Sequence, residues 1–224
     1  QLSYTWSKGM SDAIGYYGEG GQSASQSAYW QYLYDRRAEW GPTYFDATHM
    51  LNYVYTYELP LGRKKKFGAD WHPVVDGIFG GWQMGGILTL RSGFPLTIQA
   101  TDRSGTRSRG FRADRIGDGK GPMQVGRGTT WLDKAAFKEP VAGTLGNSGI
   151  GVVRGPAWKT FDLSVQKFFP IGEKRKLEFR TEFFNLTNTP QFSSPNRNAS
   201  SALFGELTGA QGERNVQFAL KFSF

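Results

Sequence analysis

Lys176-Leu177-Glu178-Phe179-Arg180-Thr181-Glu182-Phe183-Phe184-Asn185 decides how the chain folds. Leu177, Phe179 and Phe183 fall on one side of an extended chain and Glu178, Arg180 and Glu182 on the other, the period of two that a strand with unlike faces imposes. Just before it, Pro170-Ile171-Gly172-Glu173 reads as a tight turn. Residues 158–169 then set Phe161, Leu163 and Val165 against Asp162, Ser164 and Gln166, so the two stretches predict a hairpin.

The same alternation recurs outward from this hairpin. In the last ten residues Val216, Phe218, Leu220, Phe222 and Phe224 alternate with Asn215, Gln217, Ala219, Lys221 and Ser223. Residues 81–99 oppose Trp82, Met84, Leu88 and Leu90 to Gln83, Thr89 and Arg91, until Gly93 and Pro95 disturb the pattern. Residues 46–59 set Leu51, Tyr53, Tyr55, Tyr57 and Leu59 against Asn52, Thr56 and Glu58, and Pro60 stops them. Leu2, Tyr4 and Trp6 share one face of residues 2–8. That makes six strands. No periodic helix is evident, although residues 70–80 and 131–137 each have room for a turn or two.

The connections alternate in length: long, shorter, very long (residues 101–157), tight, then moderate. Short turns on one side of a membrane and long loops on the other are the pattern of outer-membrane barrels. The reading is therefore all-β: an antiparallel transmembrane β-barrel segment of about six strands with long extracellular loops. Composition agrees. Aromatics reach 15% and there are 30 glycines, while apolar residues total only 38% and mean hydropathy is −0.48; barrel strands keep a low average because alternate residues face water. No stretch approaches the roughly 20 consecutive apolar residues of a spanning helix.

Other classes lose ground on the same residues. There is no cysteine, which removes disulfides, thiolate metal sites and cysteine nucleophiles. His49 and His72 lack a ligand partner at zinc spacing, so neither metal nor cofactor is expected. The net charge of +8 suggests phosphate contacts, but Arg63-Lys64-Lys65-Lys66 and Lys174-Arg175-Lys176 fall in expected turns, where charge runs are usually just solvated. Nucleic acid is not an expected partner. Gly149-Ile150-Gly151 lacks the rest of a phosphate cradle. Asp114-Arg115-Ile116-Gly117-Asp118-Gly119 lacks the acidic spacing of a calcium loop. Glu178 and Glu182 have Arg180 between them, a neutralised ladder rather than an acid/base pair. The chain is not expected to be an enzyme.

Several stretches resemble the final strands of TonB-dependent receptors, most closely the Oar-like branch whose members carry a carboxypeptidase-regulatory-like domain. They are Tyr4-Thr5-Trp6-Ser7-Lys8, Gly80-Gly81-Trp82-Gln83-Met84-Gly85-Gly86, Ser92-Gly93-Phe94-Pro95, Arg154-Gly155-Pro156 and Phe179 through Asn188. The end of the chain is similar to the signal read by the barrel-assembly machinery, with polar Gln217, small Ala219 where Gly is usual, and the aromatics Phe222 and Phe224. The resemblance implies an energised outer-membrane transporter of about twenty-two strands, with a plug engaged by the TonB complex. It implies a Gram-negative cell envelope and an unidentified ligand.

Six strands are fewer than the roughly eight of the smallest single-chain barrels. An open sheet in lipid would expose about five N–H and five C=O groups along each edge, each costing several kcal/mol. Residues 1–224 are thus expected to be the C-terminal part of a larger barrel, with the plug and N-terminal domains outside them. The absence of an initiator Met and of a signal peptide fits a longer precursor. Tyr4, Trp6, Tyr53, Tyr57, Phe169, Phe222 and Phe224 suit aromatic girdles at the membrane surfaces. Ligand contacts are expected in the long loops. Tyr29, Trp30 and Tyr32, beside Tyr16, Tyr17 and Tyr34, form an aromatic cluster; Arg103, Arg107, Arg109, Arg112 and Arg115 could meet lipopolysaccharide phosphates or an anionic ligand. Two alternatives stay open: a soluble all-β binding module whose apolar faces pack together, and an outer-membrane adhesion or assembly protein without transport.

Overall fold

The computed structural model describes residues 1–12, 30–107, 110–121, 130–172 and 174–224. Its main sheet has six strands: β1 (Leu2–Trp6), β2 (His49–Glu58), β3 (Trp82–Arg91), β4 (Trp158–Ile171), β5 (Arg175–Phe184) and β6 (Asn215–Ser223). Each pairs antiparallel with its neighbour in sequence, so the sheet is a simple meander. Among the described residues β1 and β6 are each paired on one side only.

All six strands stand where the alternation places them, with shifted ends. β3 stops at Arg91 rather than running on to residue 99. The cause is Gly93, where a Cβ would lie 1.8 Å from the Gly155 carbonyl oxygen: two backbones cross there, and the chain leaves the sheet. Pro95–Leu96 then pairs with Val153–Arg154 in a separate small ladder. The β4–β5 hairpin is tighter than expected, since Pro170 and Ile171 still pair with Lys176 and Arg175. Gly172 carries the turn at φ 69°, a conformation that suits glycine; Glu173 lies outside the described residues.

Register keeps the two faces apart. One row across the sheet reads Tyr55, Gly86, Leu163, Phe183, Val216, and the next row on that face reads Tyr57, Met84, Val165, Thr181, Phe218. Between them, on the opposite face, lies Thr56, Gly85, Ser164, Glu182, Gln217. The Tyr55 ring covers Gly86, where an added Cβ would sit 2.4 Å from Cε1. Among the described residues no core covers the apolar face: Tyr4, Trp6, Tyr57, Phe218, Leu220 and Phe222 are all more than half exposed, and residues 59–81 meet the face at Lys167.

The connections 7–48, 92–157 and 185–214 leave one end of the meander, and 59–81 with the β4–β5 turn leaves the other. Residues 59–81 contain a short helix, α1 (Pro73–Phe79), with Pro73 in its first turn and a His72 cap whose side chain accepts from the Val74 N–H. A 3-10 turn, Lys134–Ala136, lies in the longest connection. Both fall within the two stretches where the sequence leaves room for a helical turn.

The buried apolar cluster is elsewhere than the sheet. Leu96, Ile98, Leu132, Phe137, Val153 and Phe204 make it, and all belong to the connections 92–157 and 185–214. The long connections are thus folded onto one another as a cap over one end of the wall. Phe137 meets Phe204 edge-on with ring centres 5.8 Å apart, and the Trp131 N–H donates to the Gly205 carbonyl at 2.7 Å.

Candidate functional surfaces

The polar face of the wall is a ladder of matched side chains. Arg180 lies between Glu178 and Glu182, 3.8 and 3.6 Å from their oxygens, and Gln217 donates to Glu182 from the neighbouring strand. Gln166 donates to Gln83 at 2.8 Å, and Thr89 to Asn52 at 3.2 Å. The small residues Gly85 and Ser164 leave a hollow of about 290 Å³ beside Val54, Ile87, Asp162 and Glu182. It offers an apolar floor with carboxylates at its edge, so the face is mixed rather than uniformly hydrophilic. Among the described residues no group of three or more metal-binding side chains converges.

Two ion pairs clasp the cap. Arg112 and Glu39 meet at 2.5 Å with side chains 3% and 0% exposed. The same guanidinium donates to the Ser148 carbonyl at 2.7 Å and the Ala38 carbonyl at 3.2 Å. Gln31 completes the network: its side-chain amide donates to the Gly146 carbonyl, its side-chain oxygen accepts from the Arg112 N–H, and its own N–H donates to Glu39, each at 2.9 Å. A buried pair this well hydrogen-bonded avoids the desolvation cost that an unmatched charge would carry. At the second clasp Arg154 reaches Asp46 at 2.5 Å and the Gly93 carbonyl at 3.0 Å. Burial acts to raise the Asp46 pKa, but the hydrogen bonds from Arg154, the Gly9 N–H and Thr48 outweigh it and hold the carboxyl below its ordinary value.

The loop residues expected to meet ligand have separate fates. Arg112 is removed from that set: it is interior, and its charge is used by Glu39. Arg103 is half exposed and paired with Glu139 at 2.6 Å. Arg107 is exposed, at φ 55°. Arg115 donates to the carbonyls of Gly117 and Asp118, both at 2.8 Å, and with Lys120, Trp131 and Arg154 it lines a cleft of about 420 Å³ in the cap. The Trp30 indole donates to the Asp12 carbonyl at 2.8 Å under the Arg36 guanidinium. Tyr32 meets Tyr34 edge-on at 5.5 Å, both exposed. Tyr16, Tyr17, Tyr29 and Arg109 lie outside the described residues.

At the end of the chain Gln217 and Ala219 lie on the polar face opposite Glu182 and Arg180, and Phe222 lies on the apolar face opposite Leu177. The Phe224 ring is 6.1 Å from Phe222 and almost wholly exposed. The motif Asn185-Leu186-Thr187-Asn188 ends β5. Asn185 and Asn188 both take φ 50°, and the buried Asn185 amide reaches the carbonyls of Thr189 and Gly212, joining the end of β5 to the approach of β6. Sequence reasoning missed the Glu39–Arg112 clasp, whose partners are 73 residues apart, and the Trp131 cleft. It also passed over Lys167, a cation set between the apolar Val165 and Phe169 on the same strand face, a signal that was there to be read.

Residues 1–217 match a family model described as an outer membrane beta barrel domain. No curated protein and no solved structure matches the chain.

Proposed function

We propose, because the chain belongs to the outer membrane beta barrel domain family and so resides in the outer membrane, that its six strands are a stretch of wall in a larger barrel of the TonB-dependent, Oar-like kind. Its role is in transport of a ligand through the envelope. The observation that carries the wall reading is the division of labour between faces: the apolar face carries no buried core among the described residues, while the buried apolar cluster described lies in the cap. A soluble module would bury its strand faces instead, so that alternative loses its ground. In lipid, the apolar face needs no protein partner, and the charged ladder of Arg180 with Glu178 and Glu182 lines the water-filled or plugged interior.

In this reading the hollow beside Val54, Ile87 and Asp162 faces the lumen, where it would contact whatever fills the barrel. The cap faces outward. Its two clasps hold the loops in one arrangement, and the Arg115, Lys120 and Trp131 cleft, with the exposed Arg107 and Tyr32, offers cations and rings to an anionic ligand or to lipopolysaccharide. The terminal Gln217, Ala219, Phe222 and Phe224 would be read by the barrel-assembly machinery, and the TonB complex would act through a plug outside these residues. The test is binding of the intact native protein to the periplasmic domain of TonB. Binding is expected for a transporter; its absence from a correctly folded barrel would favour the adhesion or assembly role.

A further inference from the structure

The segment 59–81 stands apart from the other connections because it folds back over the apolar side of the wall. Lys167 belongs to the row Trp82, Lys167, Phe179, Leu220, whose face is the one turned to lipid. Yet Lys167 is only 3% exposed. Its ammonium donates to the carbonyls of Asp76 at 3.2 Å, Gly77 at 2.7 Å and Gly80, so the C-terminal end of α1 sits on it. The negative end of a helix is a natural partner for a cation, and it conceals a charge that lipid would otherwise meet. The Trp82 indole adds a second tie, donating to the Ile78 carbonyl at 2.8 Å.

So held, α1 buries none of its own residues. Val74, Ile78 and Phe79 are more than half exposed, and so is Phe67. These side chains continue the lipid-facing apolar surface beyond the end of the strands. Directly beside them Arg63, Lys64, Lys65 and Lys66 are all exposed, and the Arg63 N–H donates to the Asp76 carboxylate at 2.7 Å, fixing the basic run against the helix. An apolar helical face flanked by cations is the signature of a segment lying in a membrane interface.

We infer that residues 59–81 form an interfacial anchor, with α1 resting in the periplasmic leaflet and the basic run contacting the phosphates of anionic phospholipid through Arg63, Lys64 and Lys66, beside Lys65, which is paired with Glu58 at 2.9 Å. The inference rests on the wall reading above. It assigns the basic run a partner, where the sequence alone suggested only solvation.

Residues 1–224 contain no cysteine, so once any cysteine elsewhere is replaced by Ser, single cysteines carrying a polarity-sensitive dye report on one place each. The intact protein is folded into phosphatidylethanolamine vesicles with or without phosphatidylglycerol, with the dye at Ile78, at Phe218 on the wall, or at Leu203 in the cap. The dye at Ile78 should be quenched by brominated lipid chains and at least about threefold less by iodide than at Leu203. Its shielding should increase with phosphatidylglycerol, and replacing Arg63, Lys64, Lys65 and Lys66 by Gln should abolish that increase. Lipid quenching at Phe218 with free iodide access at Ile78 would overturn the anchor alone, and would leave α1 for a periplasmic protein partner. Shielding at Ile78 indifferent to phosphatidylglycerol and to the Gln variant would overturn the headgroup contact. No lipid quenching at Phe218 would defeat the wall reading itself.

Discussion

Arg112 illustrates how far a residue's role depends on a partner distant in sequence. It lies in a stretch rich in Gly and Arg, where an exposed, ligand-facing side chain is the natural expectation; folding instead closes it on Glu39. Replacing Arg112 by Ala strands a fully buried carboxylate, which costs about 3–5 kcal/mol. Hydrogen exchange should then rise sharply across residues 30–48, 110–121 and 130–150 while strand content stays unchanged. Replacing both Glu39 and Arg112 by Leu and Met should restore most of the protection, because an apolar pair avoids the lone buried charge.

The second clasp titrates. The Asp46 carboxyl is held below its ordinary value, so its pairing with Arg154 contributes stability that is complete above that ordinary value and is lost as pH falls through the lowered folded value. The protection factor of the Gly9 amide, which donates to Asp46 at 2.8 Å, should therefore fall in acid below about pH 4. In Asp46→Asn the same amide should show a flatter acid response.

Among the elements, the strands were legible because a single repeating pattern, period two, fixes both their existence and their faces. The end of β3 was not, because Pro95 and Leu96 prolong an extended chain that belongs to a different ladder, and only the crossing of Gly93 over Gly155 shows where the sheet ends. Gly93 and Gly86 should differ in tolerance. Gly93→Ala drives a Cβ into a backbone carbonyl, which the crossing chains cannot relieve. Gly86→Ala meets only the Tyr55 ring, which can swing toward lipid. Gly93→Ala should lower unfolding stability in urea by at least about 1 kcal/mol more than Gly86→Ala.

The motifs that resemble receptor strands supply joints as well as wall. Arg154 and Gly155 tie the cap to Asp46 and Gly93, Asn185 closes β5 onto the start of β6, and Gly80 receives the Lys167 ammonium. Face assignment also makes a prediction for the strand between them. Leu163→Arg places a charge toward lipid and should cost about 2–4 kcal/mol near mid-membrane, while Ser164→Arg, one residue on, should cost far less. Folding titrations in bilayers would measure both.

Across the whole molecule, membrane and water divide the chain into a wall without a core and a cap with one. The wall could be read from sequence because lipid, like a core, selects apolar residues at every second position. The cap could not, since Leu96, Ile98, Leu132 and Phe204 are scattered among glycines and charges without a period, and their contacts join segments far apart in the chain. No periodic pattern marks the cleft around Trp131, so only the three-dimensional arrangement separates it from the buried Glu39–Arg112 clasp.

The most direct measurement is a spin-label scan of β4 from Phe161 to Gln166 in a lipid bilayer, one introduced cysteine at a time, comparing collisions with oxygen and with a water-soluble nickel complex. Labels at residues 161, 163 and 165 should meet oxygen and escape nickel, and labels at residues 162, 164 and 166 should do the reverse. Two accessibilities rising and falling together along the strand, or low values for both at residues 161, 163 and 165, would mean that the apolar face is packed against protein and that this sheet is not a membrane wall.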